Sequence, residues 1–310
     1  MKRTKKKLVI GVDIGGTHIR TGVIETSTRR VLGLTKSKTA ELTLDILCAA
    51  LERVSSEYPG KIGGIGVVVP GCCSADLRRS ISTDGIVPFL DGCNLADIIE
   101  KRVGIPARVD NDVRAHTVGE LHYGGWGQPR SLLVITLGTG VGLGWYVDGH
   151  LYPPPDHGAQ GGHIAVSWTG GNPCYCGAQG CLDGIASGTA MEAAAAERLR
   201  RLLPSSLKGR VTAEELCAAA PTDAMARGCI DRAIEALRAG LHTYHHILFP
   251  DLVVFGGGLA RGLWPYLGEL RKWFVATRRY DGRKNRLVLS RLGDKAAIYG
   301  AAALASGSYE

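Results

Sequence analysis

The chain has 310 residues, 37 Lys and Arg against 29 Asp and Glu, a net charge of +8, 45% hydrophobic and 21% charged residues; this composition excludes disorder and the length fits about two domains. No apolar run approaches the ~18–20 residues of a membrane span, no apolar segment follows Met1-Lys2-Arg3 as a secretion signal requires, and nine cysteines in so long a chain make no disulfide scaffold. A cytoplasmic protein without a membrane partner is expected, with clustered cysteines pointing to metal. Lys2, Arg3, Lys5, Lys6 and Lys7 concentrate charge at the start. No interleaved aromatics accompany them, so they read as a solvated leader and no nucleic-acid partner is expected.

In chain order, Leu8–Val12 is a short apolar run ending in Asp13-Ile14-Gly15-Gly16-Thr17, followed by strand patterns at Ile19–Ile24 and Val31–Leu34. Short runs joined by Gly-rich turns read as a meander. Leu44, Leu47, Leu51 and Val54 have helical spacing within Thr43–Tyr58. Ile62–Val69 is a strand stopped by Pro70-Gly71; Leu95–Val103 reads as a helix, Ala107–Val109 as a strand and Val113–His122 as a helix. Ser131–Thr136 then leads into Leu137-Gly138-Thr139-Gly140-Val141-Gly142, with a return strand at Leu143–Val147. Helical stretches follow at Thr189–Leu203, Ala213–Ala220 and Ala224–Leu248. Asp251–Phe255 is a buried strand ending in Gly256-Gly257-Gly258; Arg286–Ser290 is another strand, and Lys295–Ala305 a closing helix. Alternating strands and helices imply an α/β protein. A strand with a Gly/Thr turn near residue 13, and another near 138, suggests two similar lobes around a central cleft.

The glycines of Asp13-x-Gly15-Gly16-Thr17 let backbone N–H groups approach an anion with no Cβ in the way. Thr17 adds a hydroxyl, and Asp13 can hold a hydrated Mg²⁺. Gly138, Thr139, Gly140 and Gly142 supply a second such turn, and Gly256, Gly257 and Gly258 a third, suited to a flat base such as adenine. Any one alone is also an ordinary turn; three together point to a nucleotide. There is no Gly-x-x-x-x-Gly-Lys-Ser/Thr, which excludes a P-loop, and no strand leads into Gly-x-Gly-x-x-Gly.

His163, Cys174, Cys176 and Cys181 form the sharpest constellation. Three thiolates and an imidazole suit tetrahedral Zn²⁺, and four protein ligands leave no open position, so the metal is structural. Gly170, Gly171, Gly177 and Gly180 permit the tight turns of such a knot. The bland alternative is a set of buried free thiols. Cys48, Cys72, Cys73, Cys93, Cys217 and Cys229 lack such spacing and read as small apolar fillers.

These motifs resemble the actin-like ATPase superfamily of sugar kinases and, within it, the ROK family (repressors, open reading frames and kinases). The carrying residues are Asp13-Ile14-Gly15-Gly16-Thr17, Asn111-Asp112 with Ala115 and Gly119-Glu120, Leu137 to Gly142, and Cys174-x-Cys176-Gly177-x-x-Gly180-Cys181-Leu182. Val254-Phe255-Gly256-Gly257-Gly258 and Gly300-Ala301-Ala302 also match, so the resemblance covers essentially the whole chain.

The resemblance implies two actin-like (ribonuclease H-like) lobes: residues 1–115, completed by a helix over 296–310, and residues 116–295 carrying the knot at 163–181. It implies ATP and Mg²⁺ as cofactors and a sugar substrate, with Asp112 as the general base. Asn111 and Asp112 would contact the sugar, as would Asp183 and His163, the zinc-ligand His doing both. By spacing alone Asn111-Asp112 also reads as a helix cap. Dimers or tetramers are the family habit.

The pattern departs at three sugar contacts. Gly158-Ala159-Gln160-Gly161-Gly162-His163 stands where Gly-Glu-Ile-Gly-His is usual, Asp183 replaces Glu, and Thr83-Asp84-Gly85-Ile86 replaces Pro-Asn-Leu. Pro155-Asp156-His157 could bring a side chain into the vacated space. The expected function is phosphorylation of the 6-hydroxyl of a hexose or N-acetylhexosamine. The alternative is a sugar-sensing protein with weak or no turnover. A repressor is disfavoured, since a dozen residues before Asp13 are too few for a helix-turn-helix.

Overall fold

The computed structural model describes residues 8–158, 160–168 and 173–309. The basic leader, Ala159, Gly170 and Gly171 lie outside the described residues. The chain divides into two compact units, one of residues 1–128, 144–159 and 294–310, the other of residues 129–143 and 160–293.

The first unit is built on a mixed sheet ordered β3-β2-β1-β4-β7. β1 (Leu8–Ile14), β2 (His18–Glu25) and β3 (Arg30–Lys38) form the antiparallel meander. β4 (Ile62–Val69) and β7 (Ala107–Asn111) continue parallel to β1. The parallel strands are nearly continuous apolar runs because both faces are covered. On one face pack α1 (Leu44–Ser56) and α2 (Leu95–Val103), burying Leu47, Leu51, Leu95 and Ile99 against Ile10, Val12 and Val67. Thr43 caps α1 and Asn94 caps α2, each side chain accepting a first-turn backbone N–H. Between β4 and α2 lies a small ribbon of β5 (Cys72–Cys73) and β6 (Ser80–Ser82).

The other face carries α3 (Asp112–Tyr123) and the last helix of the chain, α10 (Ala296–Ser306). Both approach closely because they present glycine and alanine. A Cβ on Gly66 of β4 would fall 1.9 Å from the Ala301 carbonyl oxygen, and one on Gly300 would fall 1.9 Å from that of Ala115. Neither distance is possible, so these two positions admit glycine alone.

In the second unit β8 (Ser131–Leu137), β11 (Leu252–Gly256) and β12 (Leu287–Leu289) are parallel. β9 (Val141–Val147) starts there and runs into the first unit, where Trp145–Val147 pair with β10 (His150–Tyr152). The helices are α4 (Asp183–Ala186), α5 (Gly188–Arg200), α6 (Ala213–Ala219), α7 (Ala224–Leu248), α8 (Gly258–Leu263) and α9 (Gly268–Ala276). Ser187, Thr212 and Asp223 cap α5, α6 and α7, and Thr212 with Glu215 forms a reciprocal capping box. Among the described residues no helix is long and apolar enough to cross a membrane.

Candidate active site and metal centre

In the first unit, Asp13 and Asn111 lie at the carboxyl ends of β1 and β7, the parallel strands that flank β4. The Gly15-Gly16-Thr17 turn closes the β1–β2 hairpin. Gly15 N–H donates to the His18 carbonyl at 3.0 Å, and the Thr39 hydroxyl donates to the Gly15 carbonyl at 2.6 Å. Gly16 and Thr17 are exposed while the strand below is buried, as suits a backbone that meets a ligand. The hairpin register sets Arg20 directly opposite Asp13, and its guanidinium pairs with the Asp13 carboxylate at 3.1 Å.

Asp112 opens α3. Its Oδ1 accepts the Val113 N–H at 2.9 Å and the Asn111 side-chain amide at 3.0 Å. Burial, and then the negative charge of Asp13, push its carboxyl up to about 7. A carboxylate poised there is half-ionised near neutrality and suited to take a proton. Asn111 both caps and positions: its Oδ1 accepts from Val113 and Arg114, and its Nδ2 donates to Asp112 and to the Gly71 carbonyl at 2.8 Å. Its amide is thus spent within the chain.

Behind them Asp110 is fully buried and ion-paired to Arg114 at 3.0 Å; burial pushes its carboxyl up and Arg114 opposes the shift. Arg114 also donates to the carbonyl of Pro153, and buried Tyr309 faces Asp110. The sequence motifs alone did not single out Arg114 or Arg20. Arg20 was legible, because a hairpin closed at Gly15-Gly16 pairs residue 13 with residue 20.

The altered loops have their own contacts. Buried Thr83 donates its N–H and hydroxyl to Asp91, both at 2.7 Å. Ile86 lies beside the Gly15-Gly16-Thr17 turn, its Cγ2 3.1 Å from where a Gly16 Cβ would sit. Asp156 and His157 pair with each other at 3.0 Å. The Cys72 thiol donates to the Asp156 carbonyl at 3.0 Å and the Cys229 sulfur accepts from Arg198 at 2.8 Å, so these two, unlike buried Cys48, Cys73 and Cys217, are not simple filling.

In the second unit the remaining turns come together. The Gly138 N–H donates to the Gly140 carbonyl at 3.0 Å, and the first residue of α5, Gly188, donates to the Gly138 carbonyl at 2.8 Å. Thr139 and Gly140 are exposed, and Gly142 lies just beyond on β9. Gly257 has φ 87°, and a Cβ there would fall 2.3 Å from the Leu137 carbonyl oxygen. Glycine is therefore what seats Gly256-Gly257-Gly258 against the end of β8. Asp183 is buried and its Oδ1 accepts the Val141 N–H at 2.7 Å. Burial raises its carboxyl while the Val141 N–H and His163 oppose this. The expected sugar ligand thus also braces the Gly138–Gly142 turn.

His163, Cys174, Cys176 and Cys181 converge, with one ligand atom from each lying within 4.8 Å of all the others. Cys176 Sγ stands 3.6 Å from Cys181 Sγ, and Cys174 Sγ stands 3.3 Å from His163 Nδ1. Ligands on a tetrahedral zinc at ~2.3 Å for sulfur and ~2.0 Å for nitrogen are separated by roughly 3.5–3.8 Å, so the donor set and its spacing fit Zn²⁺. Burial raises the Cys174 and Cys181 thiols, while the Ala178 N–H lowers that of Cys176; a cation among them is what would ionise all three. Gly177 and Gly180 take positive φ of 88° and 73° to close the loop.

The stretch ahead of the knot is tight. A Cβ on Gly161 would fall 2.3 Å from the Leu143 Cβ, and one on Gly162 would fall 2.0 Å from the Val141 carbonyl oxygen. Tyr244 of α7 donates its hydroxyl to the Gly161 carbonyl at 2.6 Å. This geometry leaves no room for a side chain at either glycine.

The fold is the α/β fold of the actin-like ATPases, with mixed sheets in the arrangement seen in known sugar kinases. A ROK family glucokinase from Streptomyces griseus, solved in complex with glucose and AMPPNP, superimposes with a TM-score of 0.80 at 29% identity, covering 97% of this chain and 99% of that one. The chain belongs to the ROK family, whose profile matches residues 9–308. Among relatives, a glucokinase of Halalkalibacterium halodurans is 31% identical over 316 residues, covering 94% of this chain and 92% of that protein. An N-acetyl-D-glucosamine kinase of Aliivibrio fischeri is 28% identical over 309 residues, covering 95% and 98%.

Proposed function

We propose that this protein is an ATP-dependent sugar kinase that phosphorylates the 6-hydroxyl of a hexose or N-acetylhexosamine, with Asp112 as general base. The observation that carries the reading is the Asp112 carboxyl, held by Asn111 and the Val113 N–H and pushed up to about 7 beside Asp13. Relatives of near-full-length match support the class of substrate.

The proton of the primary hydroxyl passes to the Asp112 carboxylate as the oxygen attacks the γ-phosphorus and ADP leaves. Asn111 keeps the carboxylate aimed. Gly15, Gly16 and Thr17, together with Gly138, Thr139, Gly140 and Gly142, offer backbone and hydroxyl donors to the phosphates. Gly256, Gly257 and Gly258 provide a flat backbone for the base. Asp13 would hold the Mg²⁺ that accompanies the nucleotide, a cation that would supply neutralisation of phosphate charge. His163 with Cys174, Cys176 and Cys181 would hold a structural Zn²⁺ that fixes the acceptor loop, and His163 and Asp183 would meet the acceptor.

Coupled ADP-release assays on glucose, allose, mannose, fructose, N-acetylmannosamine and N-acetylglucosamine test the reading. At least one should be turned over, and Asp112→Asn should lower kcat about 10²–10⁴-fold. A second reading, a sugar sensor with little turnover, is favoured by the crowding at Gly161 and Gly162, which leaves no place there for an acceptor-binding carboxylate. ATP binding without turnover of any sugar would favour the sensor.

A further inference from the structure

We propose that Tyr309 is a positioning residue for the base: its hydroxyl donates to the Asp110 carboxylate and so locks the turn on which Asp112 is carried. The inference rests on the reading of Asp112 as general base. Asp110 and Arg114 stand one helical turn apart, and their ion pair at 3.0 Å closes a clamp from the end of β7 to the first turn of α3. Asn111, Asp112 and Val113 are the residues inside that clamp. Asp110 Oδ1 also accepts the Asn111 N–H at 2.7 Å, so the same carboxylate holds the backbone of the residue whose side chain aims Asp112. What fixes Asp110 therefore fixes Asp112.

Tyr309 reaches this spot through the way α10 ends. Gly307 takes a positive φ of 73°, its N–H donates to the Leu304 carbonyl at 3.3 Å, and the Ser308 N–H donates to the Ala303 carbonyl at 3.0 Å. This is a Schellman turn, which reverses the chain at a glycine, and it sends Tyr309 back over the helix. The residue is 6% exposed and packs with Val68, Ala115 and Leu304. Val68 is the β4 partner of Asp110, and Ala115 follows Arg114. The phenol thus arrives at the clamp, with the Asp110 carboxylate beside its oxygen. Among the described residues no hydrogen bond of ordinary geometry reaches that oxygen, and a hydroxyl kept from water needs a partner. Asp110 can supply one. An ionised carboxylate has about four acceptor sites. Asp110 spends one on the Asn111 N–H and two on Arg114, whose Nε is shared by both oxygens at 3.1 and 3.0 Å. Burial holds the phenol well above its ordinary value, so its proton stays in place to be donated. Arg114 grips the carboxylate through one nitrogen; a donor from beyond α10 stops it from rotating.

The test is Tyr309→Phe in the full chain, which keeps the ring and removes one oxygen. With the best acceptor, kcat should fall about 10–100-fold, as for a displaced reacting group, while KM for sugar and for ATP stays within about twofold of the parent. In an Asp112→Asn background the same substitution should leave the residual turnover unchanged, because its effect runs through the carboxylate. A kcat within about twofold of the parent, against the 10–100-fold expected of misplacement, overturns the proposal, as does an equal loss in both backgrounds. Hydrogen exchange gives a second readout. Over residues 107–118 the variant should exchange about 2–10-fold faster, the worth of one hydrogen bond, with α1 unaffected. Unchanged exchange over 107–118, or an equal rise in α1, overturns the clamp. If the parent turns over no sugar, the kinase reading fails and exchange alone decides whether Tyr309 holds the turn. A variant that does not fold overturns the positioning role, since the phenol then serves the fold as a whole.

Discussion

Asp112 carries a cost that a structural residue would not. Its folded-state value, about 7, stands above the ordinary 3.8. The folded protein therefore binds a proton that the unfolded chain has released, and stability declines as pH rises between those two values. Asp112→Asn removes the titration. The variant is expected to melt higher than the parent above pH 7 and to lose that advantage below 3.8, read as Tm against pH. Turnover moves the other way: kcat/KM of the parent should rise through about 7 as the base ionises, and a flat profile there would exclude Asp112 as the base. Behind it, Arg114→Met would strand the buried Asp110 charge. Breaking such a pair costs about 3–5 kcal/mol, visible as a lower denaturation midpoint. At this scale the sequence was most readable where chemistry dictates spacing, as in the three cysteines with His163. It was least readable where a side chain reaches across the fold, as Arg114 does to the carbonyl of Pro153.

Among elements, the long amphipathic helices and the buried strands follow their periodicity closely; α7 spans the same Ala224–Leu248 that the pattern predicts. The short pieces escaped notice. β5, β6 and β10 are two or three residues each, and α8 and α9 lie in stretches whose Gly and Pro content reads as turn. The closing helix α10 shows why local preference is a weak guide. In an exposed helix, Gly→Ala gains about 1 kcal/mol. At Gly300 the added methyl would fall on the Ala115 carbonyl, and overpacking typically costs about 1–3 kcal/mol, so Gly300→Ala should destabilise, as a denaturant titration would register. In the cysteine loop, Cys176→Ser is expected to release zinc in metal analysis and lower the melting temperature. Among the described residues, backbone bonds such as Val166 to Gly180 at 2.8 Å, Cys174 to Ala178 at 2.9 Å and Gly177 to Cys174 at 2.9 Å would remain to hold the loop.

For the molecule as a whole, the decisive fact is that the first unit is assembled from distant parts of the chain, ending with residues 294–310. α10 covers β1, β4 and α3, so truncation after Lys295 should leave that face of the sheet bare and yield an aggregating product in solubility and proteolysis assays. The contact between α10 and α3 has a wider consequence. A methyl at Gly119 of α3 would meet the Ala296 carbonyl at 2.1 Å, and the same helix opens with Asp112. Any thickening along that seam would tilt the rod on which the proposed proton acceptor is mounted. If Asp112 is the base, selection for catalytic output polices alanines and glycines that never meet a reactant, and inactivating alleles should accumulate along this seam.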